Sequence, residues 1–210
     1  MNLKEQDKFI KSIETLFNQK CDYIFHDMAE DWLHIDVLHL GPTEKFPFNK
    51  LITMGESDFK MPKKNYLGIK RNEYMIFYDK NIDVLKNKDD FEFFMNALFL
   101  PGICVRDQNE FIEPYHEVTS DFENSNMVSS LLIFPQAMKK TSEIVIKLGT
   151  FKKCMCLQVM PINQVESEYG DQYGRDKLVR DFFYKGKTLS ESIYLAEKYR
   201  NTIVSEELKK

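Results

Sequence analysis

Residues 32–58 read WLHIDVLHLGPTEKFPFNKLITMGESD. The stretch scans as two strands. Residues 33–40 alternate and are rich in β-branched and bulky side chains. Gly41-Pro42-Thr43 breaks the run, and a second apolar run follows over residues 46–55. Gly55-Glu56-Ser57-Asp58 then supplies a small, polar turn.

Further strands follow from the same logic. Residues 71–78 alternate, with Tyr74, Ile76 and Tyr78 facing one way and Glu73, Met75 and Phe77 the other. Both faces are largely apolar, which predicts a central strand covered on two sides. Residues 127–134 are a near-continuous apolar run that stops at Pro135. Residues 143–148 and 153–160 predict a hairpin across Gly149-Thr150. Residues 22–28 are a short lead-in segment, and residues 59–70 read as a loop.

Helices surround these strands. Residues 3–17 place Phe9, Ile10, Ile13, Leu16 and Phe17 on one face, and Asn18-Gln19-Lys20 ends the helix. Asn87 or Asp89 caps a helix through Phe91, Phe94, Met95 and Leu98, which Pro101-Gly102 closes. In that segment Phe93 falls off the apolar face and Phe99 sits at the end, so these aromatics suit an interface. Residues 103–126 are the least regular part, with a strand expected within 111–118. After Pro161, Asn163 and Glu166 have capping-box spacing and open a helix with the stripe Val165, Tyr169, Tyr173. Gly174 breaks it, and residues 175–184 continue as helix with Leu178, Val179, Phe182 and Phe183 inward. Thr188 and Glu191 form a second capping box for a last helix over 189–199, and residues 205–210 are a charged, frayed tail. The order predicts an α/β (α+β) protein, with a mixed, mostly antiparallel sheet packed by helices. It is expected as one domain over 1–210, with a core about 32–184 carrying the first and last helices.

The chain has 210 residues, 43% hydrophobic and 13% aromatic, which is ample for a packed core. A net charge of −4 disfavours nucleic-acid binding, which wants a basic surface. Charges run through the first residues, so no signal peptide is expected, and no apolar run is long enough to span a bilayer. Four sparse cysteines (Cys21, Cys104, Cys154, Cys156) fit reduced, buried thiols in a cytoplasmic protein.

The residues that invite chemistry are few. His34 and Asp36 share a strand face while His39 points to the other, so the three do not converge on an ion. Cys154 and Cys156 share a face but two thiolates make no structural zinc site. No phosphate-binding glycine pattern and no nucleophile elbow occurs. Glu113, His116 and Glu117 sit in a loop-like stretch and are expected as solvated surface. No catalytic residue, metal or cofactor is therefore expected.

Four pieces together resemble the suppressor-of-fused domain family. They are H-x-D-V-x-H with a following x-P-T (His34, Asp36, Val37, His39, Pro42, Thr43), T-M-G-x-S-D (Thr53, Met54, Gly55, Ser57, Asp58), N-E-Y-M-I-F at residues 72–77, and L-Q-V-x-P at residues 157–161. They occur in the family's order over about residues 32–184. The resemblance implies the same fold class. It also implies a non-enzymatic protein that holds a partner peptide as an added strand, since animal members grip a transcription-factor peptide between this domain and another. That other domain has no counterpart here. The length resembles the short bacterial members, many of them thought to be immunity proteins that neutralise toxins of neighbouring cells. The gripping region maps onto Phe99, Asp107 and the segment to Phe111, with Pro114 and Tyr115 beyond it. Asp36, His39, Thr43, Met54, Ser57, Asp58, Glu73 and Gln158, all in or beside the matching strands and turns, complete the candidate binding residues.

The expected function is a stoichiometric protein-binding module, of immunity type or regulatory, whose partner is a toxin or regulatory protein held at a sheet edge. Two alternatives are a small metal-assisted hydrolase using His34, Asp36, His39 and Glu73, and a self-associating adaptor.

Overall fold

A computed structural model describes residues 1–26, 34–120, 122, 125–133, 144–183, 195–199 and 201–204. In chain order the elements are α1 (Leu3–Phe17), β1 (Tyr23–Phe25), β2 (Asp36–Leu40), β3 (Phe48–Met54), a 3-10 turn (Glu56–Asp58), β4 (Asn72–Asp79), α2 (Lys88–Asp107), β5 (Glu117–Thr119), β6 (Ser129–Ile133), β7 (Ile144–Lys147), β8 (Lys153–Ile162), α3 (Gln164–Tyr173), α4 (Arg175–Leu178) and a π turn (Val179–Phe183). The strands form one sheet in the order β1-β2-β3-β4-β8-β6-β5, with β7 also on β8. Pairing is antiparallel except between β4 and β8, which run parallel. β8 carries β4 on one side. On its other side β6 pairs with Gln158–Ile162 and β7 with Lys153–Cys156, so β6 and β7 lie end to end along it.

β4 is the central strand that its two apolar faces require. Tyr74, Ile76 and Tyr78 enter a core with α2, while Met75 and Phe77 enter one with α1. β8 repeats the pattern: Met155, Leu157 and Val159 face α2, and Cys154 and Cys156 face α1. Further along, Met160 and Ile162 meet α3, α4 and the π turn through Tyr169, Leu178, Val179 and Phe183. The sheet is therefore a middle layer, with α2 over one face and α1 beside α3–α4 over the other. α1 holds on through Phe9, Ile13 and Phe17, all essentially buried. Each such side chain contributes about 1.5–3 kcal/mol. A capping box, Asn2 with Glu5, starts that helix, and Asn18 in a left-handed conformation (φ 51°) ends it.

Several elements depart from the sequence reading. α2 does not stop at Pro101-Gly102 but runs on to Asp107. Pro101 cannot donate to the Ala97 carbonyl, a cost of about 3 kcal/mol. Ala97, Leu98, Pro101, Cys104 and Val105 are buried against the sheet, which offsets that cost. Phe93 is in the α2-side core, not at an interface, stacked edge-on against Phe94 and Phe122. Pro161 lies inside β8 rather than after it. The strand expected within 111–118 is Glu117–Thr119. Tyr173 is exposed at the end of the α3 stripe. Residues 195–199 form a bridge and a turn instead of the end of a helix: Ala196 donates its N–H to the Phe77 carbonyl (2.7 Å), extending the sheet beside β4. Trp32, Leu33, Phe134, most of the last expected helix with its capping box, and the tail at 205–210 lie outside the described residues.

Candidate functional site

The T-M-G-x-S-D stretch folds inward on itself. Gly55 has φ +133°, and a Cβ there would lie 2.5 Å from the His34 carbonyl oxygen, so only glycine fits. The chain then makes one 3-10 turn around the Glu73 carboxyl. The N–H groups of Gly55 and Ser57 each donate to Glu73 Oε1 at 3.0 Å, and the Thr53 hydroxyl donates to Oε2 at 2.7 Å. Thr53 Oγ1 in turn accepts the Tyr74 N–H at 2.8 Å. Glu73 is fully buried. Burial pushes its carboxyl up from the usual range, opposed by the hydrogen bonds from Gly55, Ser57 and Thr53.

Beside it lies another buried carboxyl. Glu56 is pushed up to about 8 by burial, against the pull of the Arg106 guanidinium, whose Nη1 is 3.4 Å from Oε2. The carboxyl rests where a Cβ on Gly102 would be. The Pro101-Gly102 pair, which reads as a helix stop, thus gives α2 a glycine under Glu56. Asp58 faces outward. It meets Lys152 Nζ at 2.6 Å, and Lys152 also reaches Glu5 at 2.9 Å. Arg71 donates to the carbonyls of Ser57 and Asp58.

The other candidates are scattered. Asp36 lies beside His26 (3.3 Å) on the α1 side of β2, and His39 lies 3.8 Å from Asp22 on the α2 side. The neighbours fix those sides, since Leu38 packs with α1 and Val37 with α2. His34 lines a shallow cavity with His26, Asp36 and the start of α1. The three residues do not converge, and among the described residues no group of three or more His, Cys, Asp or Glu side chains is placed to hold a metal. Burial holds the His39 imidazole below its usual value. The hydrogen bond with Cys156, together with burial, raises the Cys154 thiol well above the usual range.

Met54, Ser57, Glu73 and Gln158 are buried and present no surface to a partner, and Asp36 is buried apart from its part in the cavity beside His34. Thr43 closes its own loop through Phe46. Phe99 and Phe111 are half-buried against the α2-side core, with Lys63 Nζ 4.2 Å from the Phe111 ring centre. Asp107 sits exposed at the end of α2, 3.3 Å from Arg106 Nε.

The segment after Phe111 leads to β5, the last strand of the sheet among the described residues. Tyr115 donates its N–H to the Leu132 carbonyl (2.6 Å), and the Leu132 N–H donates to the His116 carbonyl (2.9 Å). Two residues thus oppose one, which is a β-bulge, and Tyr115 takes a left-handed φ of 68°. The Ser120 N–H reaches the Val128 carbonyl in the same register. By alternation, Glu117 and Thr119 aim their backbone groups away from β6. Among the described residues no strand pairs with that side of β5.

Glu117 itself corrects the sequence reading of a solvated surface. It accepts from Ser129 Oγ (2.6 Å), Ser167 Oγ (2.6 Å) and Arg175 Nε (2.7 Å), and these partners hold its carboxyl below the usual value despite burial. It ties β5 and β6 to α3 and α4. Nothing in the local sequence signals this, because its partners lie at a distance along the chain.

No family model and no curated protein matches the chain. Solved structures do. A suppressor-of-fused homologue from Neisseria gonorrhoeae aligns with a TM-score of 0.65 at 12% identity, over 98% of this chain and 100% of that one. The Sufu–Fu complex aligns at 0.61 and 10% identity, over 94% of this chain and 91% of that one. Drosophila Suppressor of Fused aligns at 0.59 and 10% identity, over 95% of this chain and 51% of that one. With its mixed sheet between α2 and the α1/α3–α4 layer, the chain has a suppressor-of-fused-like fold.

Proposed function

We propose that the protein is a non-enzymatic binding module that takes a polypeptide partner stoichiometrically as an added strand on β5. The observation that carries this is the β5 edge, three residues long, entered through a bulge, with the backbone groups of Glu117 and Thr119 directed outward. Such an edge supplies hydrogen bonds, and neighbouring side chains supply selectivity. Of the candidate residues, Asp107, Phe111, Pro114 and Tyr115 belong to the segment that leads into it. The Sufu–Fu complex is an example of this fold with a protein partner. Within the class we favour an immunity-type protein whose partner is a toxin, following the resemblance to short bacterial members.

Thr119→Pro tests the edge. The change removes an N–H that points away from β6, so the sheet keeps its pairing while the outer edge loses a donor. A partner recovered in equimolar amount from the native cell by the parent protein is expected to be lost with Thr119→Pro, at an unchanged melting temperature. Recovery of the same partner by both proteins, or of none by the parent, defeats the reading.

A further inference from the structure

We infer that the protein carries a further docking surface, separate from the β5 edge, that receives an acidic polypeptide segment with an apolar side chain. It is a groove of about 860 Å³ between the start of α1, the loop before β4 and the tip of the β7–β8 hairpin. Lys60, Lys64, Lys70, Arg71, Lys152 and Lys153 line it, against one carboxylate, Glu5. Lys152 is neutralised by Glu5 and Asp58, and Arg71 is turned onto backbone carbonyls. Lys70 donates to the Pro62 carbonyl at 2.8 Å and makes no ion pair with a carboxylate among the described residues. Lys60, Lys64 and Lys153 are exposed and make no ion pair with a carboxylate among the described residues.

Gathering like charges in a concavity costs self-repulsion, and it raises the local concentration of an anionic ligand. The chain has 33 acidic against 29 basic residues, so this positive site stands against an acidic background. That background repels a long polyanion such as nucleic acid and leaves room for a short acidic stretch. The apolar requirement comes from the rim. Phe151 is 98% exposed at the hairpin tip, and Leu67, also in the lining, is exposed. A hairpin tip has no folding need for an aromatic ring, and an aromatic anchor beside a charged groove is the composition of a binding hot spot.

The test uses the full chain and fluorescein-labelled peptides of about eight residues, within the ligand scale of such a groove. One peptide has Asp and Glu around a Leu-Phe pair, and a control has Lys in place of the acids. Thymidine oligonucleotide and phosphatidylserine vesicles are measured beside them. The acidic peptide is expected to bind, and to weaken in about 0.5 M salt. Lys64→Glu with Lys153→Glu is expected to lose about tenfold or more in affinity, and Phe151→Ser about threefold. Thr119→Pro is expected to leave the affinity unchanged. Four results overturn the inference: no binding of the acidic peptide at low salt, equal binding by the charge-reversed variant, loss with Thr119→Pro, or tighter binding of the oligonucleotide or vesicles with the same sensitivity to Lys64 and Lys153. Success or failure here leaves the β5 test standing, because the two surfaces share no residue.

Discussion

Two short polar connections meet where Asp58 touches Lys152, and they have opposite fates. The turn Glu56–Asp58 goes inward, with Glu56 and Ser57 essentially buried, while the hairpin tip at residues 149–153 goes outward, with Phe151 almost wholly exposed. In sequence the turn resembles a ligand loop, since it carries glycine, serine and two acids. The Gly55 and Ser57 N–H groups are already committed to Glu73, as is the hydroxyl of Thr53 just before the turn. The hairpin tip has the composition of an ordinary connection, yet it contributes an exposed cation, Lys153, and a ring that no described residue covers. The difference teaches that a polar motif can be fold-making throughout, and that surface available for recognition has to be found by exposure.

Glu73→Ala tests the inward turn most severely. It strands three buried donors, and the expected loss is about 3–5 kcal/mol of unfolding free energy by urea titration. A loss below about 1 kcal/mol would mean the turn does not depend on that carboxyl.

Next comes a pH effect at Glu56. Its folded pKa of about 8 lies above the ordinary value of 4.5, so the folded state holds the proton more tightly. Its stabilising share is full below pH 4.5 and is lost as pH rises to about 8. The slope is at most about 1.4 kcal/mol per pH unit in that window. Glu56→Gln is expected to flatten stability between those limits; an unchanged slope would assign it to other groups.

Gly102→Ala is smaller. Alanine in an open helix gains about 1 kcal/mol over glycine. Here its Cβ falls on the Glu56 carboxyl, which is buried and held, so a net loss of about 1–3 kcal/mol is expected in thermal unfolding. A gain would show that Glu56 moves aside. Asp58→Ala, at the outward contact with Lys152, is expected to cost no more than about 1 kcal/mol, because the pair is partly solvated. A larger loss would make the junction between the two connections part of the fold's support.

Local periodicity carries much of the architecture. The two-residue alternation of β4 announces a strand apolar on both faces, and the capping pair Asn163 and Glu166 announces α3, because both signals lie within a few residues. α2 defeats a local rule through a distant partner: Pro101-Gly102 ends most helices, but burial on the sheet and the Glu56 carboxyl carry this one through. Glu117 escapes sequence reasoning for the same cause, since Ser129, Ser167 and Arg175 are remote in sequence. Of the candidate binding residues, the motif matches at Met54, Ser57 and Glu73 are interior, and the groove at Lys64, Lys153 and Phe151 carries no motif at all.

What the amino-acid order determined alone is the succession of strands and helices and the faces they bury, because backbone geometry repeats every two or 3.6 residues and hydrophobicity follows it. What only the tertiary structure decided is which polar groups are spent inside and which face water. Glu73 and Lys153 are both charged residues in strands, and the sequence treats them alike. Their difference is set by tertiary placement, which brings the Gly55 and Ser57 N–H groups from elsewhere in the chain onto Glu73 and leaves Lys153 facing solvent.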